Sequence, residues 1–165
     1  MAYDETRTDI DHLAIAVEQL EVAIELFLNG RSFASAVTLA GAADGVFQKA
    51  LEARKEQTSL ETSFEATDQL QAVAPKFGEV KSTLDRKARF KAFCNRRNLE
   101  RDLFKHGPRK RRDDRYQMPR IHPDLQEAAC EMIVRADDDR KRLGLPETSN
   151  ANDFNEWFYR EVVGY

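Results

Sequence analysis

The sequence predicts an all-α fold: an antiparallel helical bundle of about five to six helices, in a single domain spanning residues 1–165. Apolar residues recur at intervals of three and four positions along most of the chain, which is the spacing of one face of an α-helix. Only 7 glycines and 5 prolines are available to form turns. No segment shows the strict alternation that a half-buried β-strand requires. A chain of this length buries one core but not two independent ones.

Two helices are predicted in the first third of the chain. Apolar positions recur every three or four residues over residues 10–28, and the Asn-Gly pair that follows ends this helix. Ser32 is expected to cap a second helix, which runs to about Lys55 through the small-residue run AVTLAGAADG. Because the connection is short, we expect an antiparallel hairpin with the second helix at the centre of the bundle.

The middle of the chain predicts two more helices and a loop. A weaker apolar stripe over residues 60–73 predicts a third helix, which stops before Pro75. A strongly basic helix is predicted from about residue 79 until the Gly-Pro pair at 107 and 108. An arginine-rich loop without periodicity follows, so that the basic helix and loop together span about residues 79–122.

The last part of the chain predicts a helix opened by Pro123 and ended near Gly144, and then a short aromatic helix over about residues 149–163. Ser149 or Asn152 is expected to start this last helix. Its aromatic side chains are expected to cover one end of the bundle, with a docking face for a partner as the alternative. These aromatic residues are Phe154, Trp157, Phe158 and Tyr159.

The charge is distributed very unevenly along the chain. The net charge is −3, yet residues 76–120 hold 16 of the 26 Lys and Arg residues and only 6 of the 29 Asp and Glu residues. This local balance of +10 predicts a polyanionic partner. The alternative is a solvated face that is neutralised by internal salt bridges.

Several classes of protein are disfavoured by the sequence. No apolar run approaches the roughly 18 residues of a membrane span, and the acidic start lacks the features of a leader, so we expect a cytoplasmic protein without membrane contact. Cys94 and Cys130 lie on amphipathic helical patterns and are expected to be reduced core residues. Because glycine-rich phosphate loops and paired metal-ligand motifs are missing, no cofactor and no metal are predicted.

The candidate site is the pair Arg101 and His106, at the end of the basic helix. Histidine moves a proton near neutral pH, and arginine binds a phosphate bidentately and stabilises charge on the phosphoryl oxygens. The two groups together have the chemistry for cleaving RNA without a metal. Five positions along a straight helix place them about 140° apart. If the helix frays at Lys105 and His106, just before Gly107, the imidazole can swing toward the groove that Arg101 lines.

The segment RNLERDLFKHGPRKRR resembles the Arg-x(4-6)-His motif of the HEPN superfamily of all-α domains, with Asp102 as the polar residue after the arginine. The preceding hairpin, AIELFLNGRSFASAVTLAGAADGVF, is similar to the hairpin of these domains and contributes the acidic residue Asp44. The resemblance covers most of residues 10–143. It implies a metal-independent endoribonuclease in which the 2′-hydroxyl attacks the adjacent phosphorus and two motif copies meet in a homodimer.

The resemblance also implies roles for residues and partners. His106 would be the general acid or base, Arg101 the phosphate stabiliser and Asp102 an orienting group. RNA or a nucleotide is the expected ligand, with an antitoxin or other protein as a possible partner of a toxin, defence or stress-response effector. The flanking polar and basic residues predicted to bind the substrate are Arg96, Arg97, Asn98, Lys105, Arg109, Lys110, Arg111 and Arg112.

Two further Arg-His pairs have a matching spacing, and two further functions stay open. Arg7 with His12, and Arg115 with His122, also fit the motif, but neither combines a basic helix with a polar residue after the arginine and a dense cationic cluster. The first alternative function is a non-catalytic helical module that binds nucleic acid or a nucleotide. The second is a dimeric interaction scaffold, in which the basic strip of one subunit meets acidic helices of another.

Overall fold

The computed structural model describes residues 11–73, 85–106 and 124–164, and it confirms the all-α fold class. No β-strand occurs among these residues, and no helix in them is long and apolar enough to cross a membrane. The helices are α1 (His12–Leu28), α2 (Phe33–Arg54), α3 (Ser59–Val73), α4 (Arg86–Arg97), α5 (Leu99–His106), α6 (Leu125–Arg142) and α7 (Ala151–Phe158), followed by a π-helical turn (Tyr159–Val163).

The hairpin of α1 and α2 forms as predicted, but its second helix is capped differently. Asp11 caps the start of α1. Its Oδ1 accepts hydrogen bonds from the backbone N–H groups of Leu13 and Ala14, with N to O distances of 2.9 and 3.2 Å. Ser32 is the N-cap residue of α2, as predicted, but its side chain accepts no hydrogen bond from a backbone N–H group of the helix. Its backbone is left-handed, with φ of 45°, instead of extended, and its hydroxyl lies 2.7 Å from that of Ser35.

The hydrophobic core lies between α1, α2 and α6, with α2 at the centre. The buried face of α2 includes three fully buried alanines, which let the neighbouring helices approach closely, as its small-residue run predicted. Large apolar side chains from the three helices fill the remaining space. The largest of them are Leu20, Ile24, Val37, Phe47, Leu51 and Ile133.

Both cysteines are free thiols. Cys130 is buried in the core, and burial raises the pKa of its thiol to about 11. Cys94 is half-buried on α4, where burial also raises its pKa. The structure therefore confirms the predicted core position for Cys130 and places Cys94 at the edge of the fold.

The predicted single basic helix is two helices, which is a correction to the sequence prediction. α4 ends and α5 begins on either side of Asn98, whose backbone leaves helical geometry at φ of −101° and ψ of 3°. This break lets α4 pack on α3 while α5 packs on α2. A one-residue interruption leaves the apolar periodicity almost unchanged, so the sequence pattern does not reveal it. Residues 79–84 and the predicted loop at 107–122 lie outside the described residues.

The C-terminal helices complete the bundle. Asp124 caps α6 through hydrogen bonds to two backbone N–H groups, and Asn150 occupies the N-cap position of α7 instead of Ser149 or Asn152. Trp157 packs edge-on against Phe27 at the end of α1, with ring centroids 4.6 Å apart. The aromatic helix is therefore a cover over the core, although Tyr159 faces solvent with 56% of its surface exposed. Pro123 lies outside the described residues.

Candidate functional site

Arg101 lies against α2 at a position that has no side chain. A Cβ atom placed on Gly41 would lie 2.5 Å from both Cγ and Cδ of Arg101, which is closer than real Cβ contacts allow. Glycine at position 41 is therefore what lets the stem of this arginine lie along the small-residue surface of α2. This contact fixes the position of the Arg101 stem, which carries the guanidinium group.

Asp102 sets the orientation of the Arg101 guanidinium. Nε and Nη2 of Arg101 donate hydrogen bonds to Oδ1 of Asp102 at 3.2 and 3.0 Å. The remaining nitrogen, Nη1, lies 3.6 Å from Oδ2 of Asp44, beyond hydrogen-bond range. The Arg101 side chain is 20% exposed, so it is partly accessible to solvent while Asp102 holds its guanidinium. An oriented guanidinium on a partly exposed side chain is suited to donating hydrogen bonds to an anion.

A buried ion pair lies beneath this arginine. Asp44 on α2 is fully buried, and Arg135 of α6 binds it bidentately, with Nε at 2.9 Å from Oδ1 and Nη2 at 2.6 Å from Oδ2. Gln48 adds a hydrogen bond to Oδ2 at 2.9 Å. Such a pair is favourable only when its geometry is good and its lone pairs are used, and both conditions hold here.

The same arginine reaches the break between α4 and α5. Nη2 of Arg135 donates to Oδ1 of Asn98 at 2.9 Å and lies 3.2 Å from the sulfur of Met132. Asn98 was predicted to contact substrate, and the structure shows its carbonyl turned toward Arg135. This network of Asp44, Gln48, Asn98, Arg101 and Arg135 therefore joins α2, α6 and the start of α5.

Fraying at the end of α5 does not occur. The helix continues through Lys105 to His106, its last residue, so positions 101 and 106 stay about 140° apart around the helix axis. The side chains of Lys105 and His106 lie outside what the structure describes, as do Arg109, Lys110, Arg111 and Arg112.

The arginines of α4 that face the fold are paired with carboxylates. Arg86 binds Glu65 on α3 at 2.9 Å, and Arg89 binds Asp68 with two hydrogen bonds of 3.0 Å. Arg97, predicted to bind substrate, bonds to Glu131 of α6 at 2.6 Å and lies over the ring of Phe93. The predicted alternative of internal salt bridges therefore describes this inner face of α4.

Three other cations of α4 have a different environment. Lys87, Lys91 and Arg96 are exposed, and no ion pair joins them to a carboxylate whose side chain the structure describes. These three exposed cations, which we call the outer cations of α4, are available to an anionic partner. Of the other two motif matches, His12 is an exposed first residue of α1, whereas Arg7, Arg115 and His122 lie outside the described residues.

Sequence reasoning missed Arg135, Gln48 and the role of Gly41. A signal for Arg135 was present, since it occupies a position between Met132, Ile133 and Ala136 on the apolar stripe of α6. A charged residue on such a stripe is buried only if it has a partner. The single acidic residue in the small-residue run of α2 was the complementary signal.

The arrangement offers a cationic surface with one oriented guanidinium. Within the described residues, no group of three His, Cys, Asp or Glu side chains converges as a set of metal ligands. Comparison with protein-family models, with curated proteins and with solved structures found no match. The candidate function therefore depends on the geometry of this surface and on the motif in the sequence.

Proposed function

We propose that this protein is a HEPN-like, RNA-binding domain that cleaves RNA without a metal ion. The observation that carries the proposal is the Arg101 guanidinium, which is oriented by Asp102 and belongs to a partly exposed side chain that packs on Gly41. It lies five positions before His106, within the segment that holds most of the positive charge. A phosphate of RNA is the anion that such a surface recognises.

In the proposed reaction the 2′-hydroxyl of a ribose attacks the adjacent phosphorus. A histidine base accepts the hydroxyl proton, and the bond from phosphorus to the 5′-oxygen breaks as an acid returns a proton to that oxygen. The products are a 2′,3′-cyclic phosphate and a 5′-hydroxyl. Arg101 would stabilise the negative charge that builds on the non-bridging phosphate oxygens.

A site made by two copies of the chain fits this proposal better than a site within one copy. Positions 101 and 106 lie about 140° apart on α5, so their side chains start from different faces of one helix. In a homodimer with α5 at its interface, Arg101 of one protomer can approach His106 of its partner. Such an enzyme would act in the cytoplasm as a toxin, defence or stress-response effector, and an antitoxin that covers the outer cations of α4 would inhibit it.

The test is cleavage of single-stranded RNA in the presence of EDTA. His106→Ala should abolish cleavage, and Arg101→Lys should lower the rate about 100-fold, because lysine replaces a bidentate fork by a point charge. His12→Ala is the matched control, since His12 follows Arg7 at the same spacing and is exposed on α1. Cleavage by the His106→Ala variant at the wild-type rate would refute the proposal.

A second candidate function is RNA binding without cleavage. The observation that favours it is the exposure of Lys87, Lys91 and Arg96 on α4, which does not depend on the role of the histidine. This alternative predicts salt-sensitive RNA binding that His106→Ala leaves unchanged, together with intact RNA after prolonged incubation. Equal affinity at low and high salt would contradict it.

A further inference from the structure

Arg135 lies outside the Arg-His motif, yet it holds the carboxylate that competes for Arg101. We infer that Arg135 is a positioning residue: by occupying Asp44 it leaves the guanidinium of Arg101 oriented by Asp102 and available to a phosphate. The reference to phosphate rests on the proposed function. The effect of Arg135 on where the Arg101 guanidinium lies follows from the contacts alone.

The distances to Asp44 show that Arg135, and not Arg101, forms the hydrogen bonds to this carboxylate. Oδ2 of Asp44 accepts from Nη2 of Arg135 at 2.6 Å and from Nε2 of Gln48 at 2.9 Å, so both of its lone pairs are used. Arg101 approaches the same oxygen only to 3.6 Å, through Nη1. Its hydrogen bonds to described residues go instead to Asp102. Arg135 therefore takes the short contacts, and Arg101 is left at the edge of the pair.

Loss of Arg135 would change this balance. Asp44 is fully buried, and a buried carboxylate without its cation is strongly unfavourable. The nearest remaining guanidinium is that of Arg101, which needs only a short movement of Nη1 to reach hydrogen-bond range. Arg101 would then turn from Asp102 toward the interior, and the surface would lose its oriented cation.

A purely structural role for Arg135 makes a different prediction. If this arginine only holds α2 to α6 and to Asn98, replacing its partner Asp44 as well does not restore the lost contact between the helices. The double variant would then stay as impaired as the single variant. If it acts by neutralising Asp44, the double variant Asp44→Asn/Arg135→Gln removes the buried charge and releases Arg101 again. Recovery of activity in the double variant therefore distinguishes a positioning role of Arg135 from a purely structural role.

The first experiment measures Arg101 directly, without RNA. The Nε–Hε resonance of Arg101, assigned by its loss in Arg101→Lys, is followed by ¹⁵N NMR in each variant. It should shift in Arg135→Gln and return toward its wild-type position in the double variant. An unchanged resonance in folded Arg135→Gln protein would overturn the inference, even if the protein proved not to bind RNA.

The second experiment measures RNA cleavage in EDTA by the same variants. Arg135→Gln should be slower by about 100-fold, the size expected when a catalytic group is misplaced by about 1 Å. The double variant should recover most of that loss, and Arg135→Lys, which keeps the charge, should fall between wild type and Arg135→Gln. A double variant as slow as Arg135→Gln would overturn the inference. If wild-type protein leaves RNA intact, the proposed function fails and the resonance of Arg101 decides the positioning role.

Arg140→Gln provides a matched control for stability. Arg140 is also a buried arginine of α6, but it bonds to Asp137 and to the carbonyls of Leu145 and Pro146, away from Arg101. Its loss should lower the melting temperature and leave the Arg101 resonance in place. If Arg135→Gln does not fold, Arg135→Lys and the double variant are compared with wild type. The inference then requires that the Nε–Hε resonance of Arg101 in the double variant lies at its wild-type position. A displaced resonance in the double variant would refute the inference.

Discussion

The replacement Asp139→Asn is expected to remove a pH-dependent loss of stability. Asp139 on α6 is fully buried, and its Oδ1 accepts the backbone N–H of Ser59, at the start of α3, at 2.6 Å. Its Oδ2 is buried without a hydrogen-bond partner among the described residues. Burial raises the pKa of Asp139 to about 6, against the opposing effect of the Ser59 N–H. Asparagine keeps an acceptor for Ser59 and cannot ionise.

The magnitude follows from the two pKa values. The ordinary pKa of 3.8 applies to the unfolded chain and about 6 to the folded protein, so ionisation of Asp139 costs about 3 kcal/mol of stability. Between these values the folded state binds more protons than the unfolded state. The free energy of unfolding contributed by this group is therefore highest below about pH 4, falls as the pH rises to about 6, and is constant above that.

Urea unfolding of both proteins at several values between pH 4 and pH 8 tests this. The advantage of Asp139→Asn over wild type should grow with pH by up to about 3 kcal/mol and level off above about pH 6. Glu131→Gln is the control, because Glu131 is an exposed carboxylate about two turns before Asp139 on the same helix and bonds to Arg97. A difference that stays constant with pH, or that shrinks as pH rises, would refute the reasoning.

Three further outcomes are expected. Gly41→Ala should lower the free energy of unfolding by about 1–3 kcal/mol because its methyl group overlaps the stem of Arg101, whereas Gly45→Ala, with open space around it, should not. Equal stabilities in urea would contradict this close approach. Lys87→Gln/Lys91→Gln should reduce the slope of log affinity for single-stranded RNA against log salt by about 0.7 for each lost phosphate contact. An unchanged slope would remove these lysines from the interface. Cys130 should react with a thiol reagent at pH 8 far more slowly than a free thiol, because burial and a pKa of about 11 leave little thiolate. Rapid labelling of the folded protein would show that the core opens readily.

The fold could be predicted because burial leaves a periodic trace in the sequence. The stripes of α1, α2 and α6 record which side of each helix is buried, and these helices build the core. The break at Asn98 left no such trace, since its partner Arg135 lies 37 positions away. The pairing of Asp44 with Arg135 spans 91 positions, and only the packing of α2 on α6 brings the two together.

The candidate site was predictable only in part, for a similar reason. The charge around the motif singled out Arg101, and the family resemblance implied Asp102 as an orienting group; the structure has a hydrogen bond between these two side chains. The competition between Arg101 and Arg135 for Asp44 depends on distances of 3.6 and 2.6 Å. Distances of this kind arise from tertiary packing, so no sequence spacing encodes them directly.

The cations of α4 fall into two groups, those paired with carboxylates and the exposed outer cations, and this division decides how RNA binding must be tested. Arg89 and Arg97 use their charge on carboxylates of α3 and α6, so they hold helices together. Lys87 and Lys91 have no such role among the described residues. Replacing Arg89 would weaken the packing of α3 on α4 and so lower RNA binding indirectly, even if Arg89 makes no contact with an RNA phosphate. Among the described cations of α4, substitutions of the outer cations separate loss of charge from loss of fold.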